Sequence, residues 1–159
     1  MKKLFGIAIV AALFLSLAPH SFAQTDAFIG TWKLNVKKSK FNPGPPRKGE
    51  TRVVVTSNMG MRVSVNRINA DGSTQDFEYT TNLDGKSYPI TGLGPEGADS
   101  IAANLTSPTT IQSTLTKGGK VVATGTSSVS PDGKVLTITA KGTSSDGKPF
   151  TNVVVYDKQ

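Results

Sequence analysis

Cysteine is absent from this chain of 159 residues, and histidine occurs once, at His20. Without cysteine there are no disulfides, no thiolate metal sites, no lipid anchor on a thiol and no cysteine nucleophile. His20 falls in the apolar leader, so residues 24–159 have neither Cys nor His. That excludes Ser-His-Asp and Cys-His catalysis and the usual zinc and copper sites. No metal ligand set, no cofactor and no catalytic residue is expected, and the chain reads as a non-enzyme. Tryptophan is also scarce: Trp32 is the only one. Beyond residue 17 no apolar run approaches the ~20 residues that a bilayer span needs, so no stable membrane insertion is expected.

What is present begins with a leader. Met1, Lys2 and Lys3 precede an apolar run over residues 4–17, and Ser21-Phe22-Ala23 supplies a small-x-small ending. This is the pattern of a secretory signal peptide cut after Ala23. The expectation is a signal peptide over 1–23, a single domain over 24–159, and a periplasmic or extracellular monomer. The formal charge is +7, with basic residues concentrated at Lys33, Lys37, Lys38, Lys40, Arg47, Lys48 and Arg52. Only Trp32 and Phe41 lie among them, too few aromatics for a stacking surface, so the basic end reads as a solvated face and not a nucleic-acid site.

From residue 50 onward, tight-turn signals recur: Asn58-Met59-Gly60, Asp71-Gly72, Asp84-Gly85, Gly118-Gly119, Asp132-Gly133 and Asp146-Gly147. Glycine and aspartate supply the positive φ angles of hairpin turns. Between them lie segments rich in Val, Ile, Thr, Phe and Tyr, which suit a pleated sheet. Strands are expected near 51–57, 61–69, 74–81, 86–90, 98–106, 109–117, 120–130, 134–143 and 149–157, after a short one around Trp32. Strands joined in order by short turns make an antiparallel meander, and closure removes its exposed edges. The expected fold is therefore all-β: an antiparallel up-and-down β-barrel of about 8–10 strands. A two-sheet sandwich is the alternative. Alternation groups Met61, Val63, Val65 and Arg67 on one face, Phe77 with Tyr79, and Ile138 with Ala140. Small residues such as Ser113, Ala123, Gly125 and Ser127 recur in these sets, leaving room for a ligand or easing the turning of barrel corners.

The stretch FIGTWKL, residues 28–34, resembles the calycin superfamily of lipocalins and fatty-acid-binding proteins, and Val155-Tyr156-Asp157-Lys158 is similar to the last strand of the fatty-acid-binding branch. The resemblance implies a lipocalin-like barrel in which Gly30 and Trp32 form a structural plug, often beneath a basic side chain from the final strand. It departs from that branch in two places. Residues 41–47, FNPGPPR, replace a two-helix lid and cannot form helix; they read as an extended polyproline-like strap, placed across a barrel mouth. Val154 stands where an arginine would complete an Arg-x-Tyr carboxylate anchor.

The candidate ligand contacts are Arg67, Phe77, Tyr79, Ile138 and Tyr156. Arg67 has two readings. If it points inward it needs an anion or a carboxylate beside it; if the strand ends or bulges before Ile68 it faces water. Asp76 and Glu78 share a face, which suits either acid–base work or a solvated sheet surface. GLGPEG, residues 92–97, matches Gly-x-Gly-x-x-Gly without the following helix a dinucleotide site requires, and reads as a loop. Two functions follow as expectations: a non-enzymatic carrier of a small hydrophobic or amphipathic ligand, or a filled-barrel interaction module of the cell envelope with no small-molecule ligand.

Overall fold

The structure, a computed structural model, describes residues 22–58 and 60–159. Most of the expected signal peptide lies outside the described residues. After a 3-10 helix at Phe22–Phe28 come ten strands: β1 (Gly30–Leu34), β2 (Gly49–Ser57), β3 (Gly60–Ile68), β4 (Thr74–Thr81), β5 (Asp84–Gly92), β6 (Ser100–Ser107), β7 (Thr110–Lys117), β8 (Lys120–Val129), β9 (Val135–Thr143) and β10 (Pro149–Lys158). Each pairs antiparallel with its neighbours in sequence, and β1 bridges β2 and β10 to close the barrel. This is the closed antiparallel up-and-down barrel the meander implied, and it is not a sandwich. Two further 3-10 turns, Val36–Lys38 and Pro95–Gly97, are the other helical elements among the described residues.

The strands meet the expected ranges to within two residues. The inward faces also follow the expected alternation: Met61, Val63, Val65 and Arg67 are all buried, and so is Phe77. Asp76 and Glu78 point outward, accepting hydrogen bonds from Asn66 Nδ2 (2.6 Å) and Ser64 Oγ (3.3 Å) across the β3–β4 ladder. They form a solvated surface, not a catalytic pair.

One end of the barrel is packed shut. Trp32 is fully buried, and its indole N–H donates to the Phe28 carbonyl at 2.8 Å. The Lys158 ammonium, from the last strand, sits 5.0 Å from the indole centroid. Gly30 makes this arrangement possible. Its φ is +138°, and a Cβ there would lie 2.7 Å from Lys158 Cε. A side chain at residue 30 would push the lysine off the ring and strain the backbone. Trp32 belongs to one continuous buried core with Phe28, Val54, Met61, Val63, Ile111 and Leu136.

The other end is the mouth. β1 covers only the last part of β10, pairing with Tyr156, Asp157 and Lys158. The remaining edge of β10 is covered by the chain that follows β1. Lys40 exchanges backbone hydrogen bonds with Val153, and Thr151 N donates to the Asn42 carbonyl. From there residues 41–48 cross to the start of β2, and Phe41, Pro43, Pro45 and Arg47 line a vestibule of about 320 Å³. The strap lies over the mouth, as expected. Its Asn42–Pro43 and Gly44–Pro45 bonds are cis.

Candidate functional site

Inside the mouth lies a cavity of about 100 Å³. At the ~30 Å³ that a water takes in the liquid, the hollow itself holds about three waters, and a longer ligand would reach past it toward the vestibule. Its wall is largely apolar: Phe77, Ile90, Ile101, Leu115, Ile138 and Val154. The strands β7 to β9 present Ser113, Ala123, Gly125, Ser127 and Ala140 to it, so the small residues of the sequence do line a hollow. Several of these inward-facing side chains, including Ser113, Ile138 and Asn152, are only half-buried, because the hollow communicates with solvent through the mouth.

All the candidate contacts named from sequence (Arg67, Phe77, Tyr79, Ile138 and Tyr156) line this one cavity. Arg67 takes the inward reading. β3 runs without a bulge through Arg67, which pairs with Glu50 on β2 and Gln75 on β4. The regular ladder keeps the alternation intact, so the guanidinium is buried where Val65 and Val63 are.

The carboxylate an inward arginine requires is Glu50, which the sequence reading missed. Its side chain is completely buried, and four donors saturate it. Oε1 accepts from Arg52 Nη1 at 3.0 Å and from the Tyr156 hydroxyl at 2.6 Å. Oε2 accepts from Arg67 Nε at 2.7 Å and from Arg47 Nη1 at 2.8 Å. Burial opposes ionisation of Glu50, but Arg67, Arg52 and Arg47 together outweigh it and bring the carboxyl down to about 2. Burial, with the Glu50 charge beside it, pushes the Tyr156 phenol up to about 12, so the phenol stays a donor.

Each arginine is also stacked. Arg47 lies over Phe41 (5.5 Å), Arg52 over Tyr156 (5.6 Å) and Arg67 over Phe77 (5.5 Å). Arg67 Nη1 donates to Gln75 Oε1 at 3.0 Å, and Gln75 Nε2 holds the Leu93 and Gly94 carbonyls at 2.8 and 3.0 Å. The 92–97 segment is thereby tied to the arginine cluster; it is a loop of the mouth, with no phosphate-binding helix behind it. Arg47, Arg67 and Glu96 line both the vestibule and the inner cavity, so they form the neck between them.

This corrects one expectation. Arg47 and Arg52 are not part of a solvated basic face: their side chains are 19% and 12% exposed and turn into the barrel. The signal for Glu50 was weak but present. Glu50, Arg52 and Val54 alternate, and β2 begins one residue before Glu50, not one after it. Extending the strand by two residues would have put an acid and a base on the face already assigned to Arg67.

No family model matches the chain, and no curated protein matches it. Among solved structures, the zebrafish ileal bile acid-binding protein, in complex with cholic acid, is similar over 84% of this chain and 99% of its own, at 11% identity and a TM-score of 0.48.

Proposed function

We propose that this protein is a non-enzymatic binding protein, acting as a monomer in the periplasm or outside the cell after removal of residues 1–23, and that its barrel takes up a small amphipathic anion. One observation carries the reading: three arginines at the wall of an apolar hollow share a single glutamate. Guanidinium groups taken out of water seek charged partners, and an arginine has five N–H donors. Arg47 uses one of its donors on Glu50, while Arg52 uses one on Glu50 and also bonds the Tyr156 hydroxyl. The rest are available to a ligand whose apolar body lies against Phe77, Tyr79 and Ile138.

The size of the cavity limits that body to a short chain. Pentanoate and pentanol differ in charge and little in bulk, so amide chemical-shift titration of the purified protein with each tests the reading. Saturable shifts around Phe77, Tyr79, Ile138 and Tyr156 with pentanoate, at least several-fold tighter than with pentanol, are expected. A folded barrel that responds to neither would favour the interaction module, for which the solid packing around Trp32 is the supporting feature.

A further inference from the structure

The loop over residues 92–97 sets one residue against its own turn chemistry. Gly97 N donates to the Gly94 carbonyl at 3.0 Å, and Ala98 N to the Pro95 carbonyl at 2.9 Å. Two turns therefore overlap, and Glu96 is a central residue of both. Its φ is +56° and its ψ 23°, in the left-handed region. Turn positions of this kind favour glycine, asparagine or aspartate, and a longer side chain is strained there. Among the described residues the other non-glycine with positive φ is Leu83. Leu83 is buried in the core and its N–H donates to Thr81 Oγ1 at 3.1 Å, so the fold accounts for it. The Glu96 side chain is half-buried and forms no hydrogen bond or ion pair with another described residue. Strain kept at a residue that gives the fold no polar contact in return points to function.

What Glu96 faces is the neck, where it lines both chambers with Arg47 and Arg67. Gln75, bonded to Arg67, holds the Leu93 and Gly94 carbonyls, so the loop keeps residue 96 at that place. The charged side chains at the neck and the hollow are Arg47, Arg52, Arg67, Glu50 and Glu96; three positive and two negative charges leave one positive. Lys117 lies beside Gly97 and offsets Asp99 on the adjoining turn, and neither lines the neck. Glu50 is saturated by its four donors, so Glu96 is the negative charge that an entering ligand meets.

We propose that Glu96 is the specificity-determining residue of the anion site: its carboxylate admits a ligand with one negative charge and turns away one with two. This rests on the reading of the cavity as a site for an amphipathic anion and specifies the charge it accepts. A monoanion brings the neck to neutrality. A dianion leaves an excess negative charge beside a carboxylate that has no cation of its own.

Calorimetric titration of the purified protein at pH 8 with propylmalonate, with its monomethyl ester and with pentanoate tests this. Propylmalonate and the ester share a propyl tail and differ little in bulk, but carry two charges and one. The native protein is expected to bind the ester at least several-fold tighter. Repulsion acts on each ligand charge, so Glu96→Gln should tighten propylmalonate about fivefold more than the ester and remove the preference. Glu96→Asp keeps the charge and should keep the preference. Glu96→Gly removes both the charge and the backbone strain; it should shift the ligands as Gln does and leave the denaturation midpoint no lower than that of the native protein. A clearly less stable glycine variant would show that the glutamate serves the fold, and would overturn the proposal. Equal tightening of the two malonates by Glu96→Gln, or none, would overturn the role of Glu96 and leave the anion cavity standing. Uptake of pentanoate but of neither malonate, by native and variant alike, would show that bulk and not charge sets the limit. Binding of none of the three would overturn both this proposal and the cavity reading on which it rests.

Discussion

The two ends of this barrel are made by the same ten strands and treat their interiors in opposite ways. At the closed end, large side chains meet around one fully buried indole, and a glycine lets a lysine cap it. At the mouth, the inward positions of β8 and β9 shrink to Ala123, Gly125, Ser127 and Ala140, and the space they vacate faces a cluster of arginines. Strand number and closure are common to both ends, so they do not decide whether a barrel is hollow. Side-chain bulk does, position by position. The solid half holds the fold; the open half is where a ligand can be held without disturbing it.

That division predicts unequal responses to truncation. Trp32→Ala removes a side chain with no exposure and leaves a void that its rigid neighbours cannot fill, at a cost of about 3–5 kcal/mol. Ile138→Ala, on the wall of the hollow, enlarges a space already open to water and should cost about 1 kcal/mol, chiefly the lost contact of a half-buried side chain. Denaturant titration of both variants checks this. Similar losses would mean that the two ends are packed alike.

A smaller effect, specific to the mouth, is acid sensitivity. The Glu50 carboxyl is held at about 2 in the folded protein against an ordinary value of 4.5. A depressed carboxyl stabilises the fold fully above its unfolded value and loses that contribution as the pH falls through its folded value. About 3 kcal/mol should therefore disappear between pH ~4.5 and ~2. Aspartates in the exposed turns, such as Asp132, are held low as well, by Ser130 Oγ first and then Lys134 N. The difference between wild type and Glu50→Gln isolates the buried group: the variant should be less stable at pH 7, with the gap narrowing as acid is added. A gap independent of pH would show that Glu50 acts through packing and not through its charge.

Much of this architecture was legible without coordinates. Asp-Gly and Gly-Gly pairs marked the hairpins, and period-two alternation put Arg67 on the same face as Val63 and Val65. Gly30-Thr31-Trp32 marked the closed end. The arginine cluster was not legible, for a physical reason. Arg47 comes from an irregular strap, Arg52 and Glu50 from β2, and Arg67 from the far side of the β2–β3 hairpin. Only the register that pairs Glu50 with Arg67 brings them together. A strand begun one residue too late left Glu50 in a loop, and a count of surface lysines absorbed two arginines that in fact point inward.

The central claim is that the hollow end of the barrel carries uncompensated positive charge and selects for negative ligands. Calorimetric titration with a matched pair of opposite charge, pentanoate and pentylammonium, tests it most directly. The account predicts one saturable site for pentanoate and no detectable uptake of pentylammonium. Binding of the cation as tightly as the anion would contradict it.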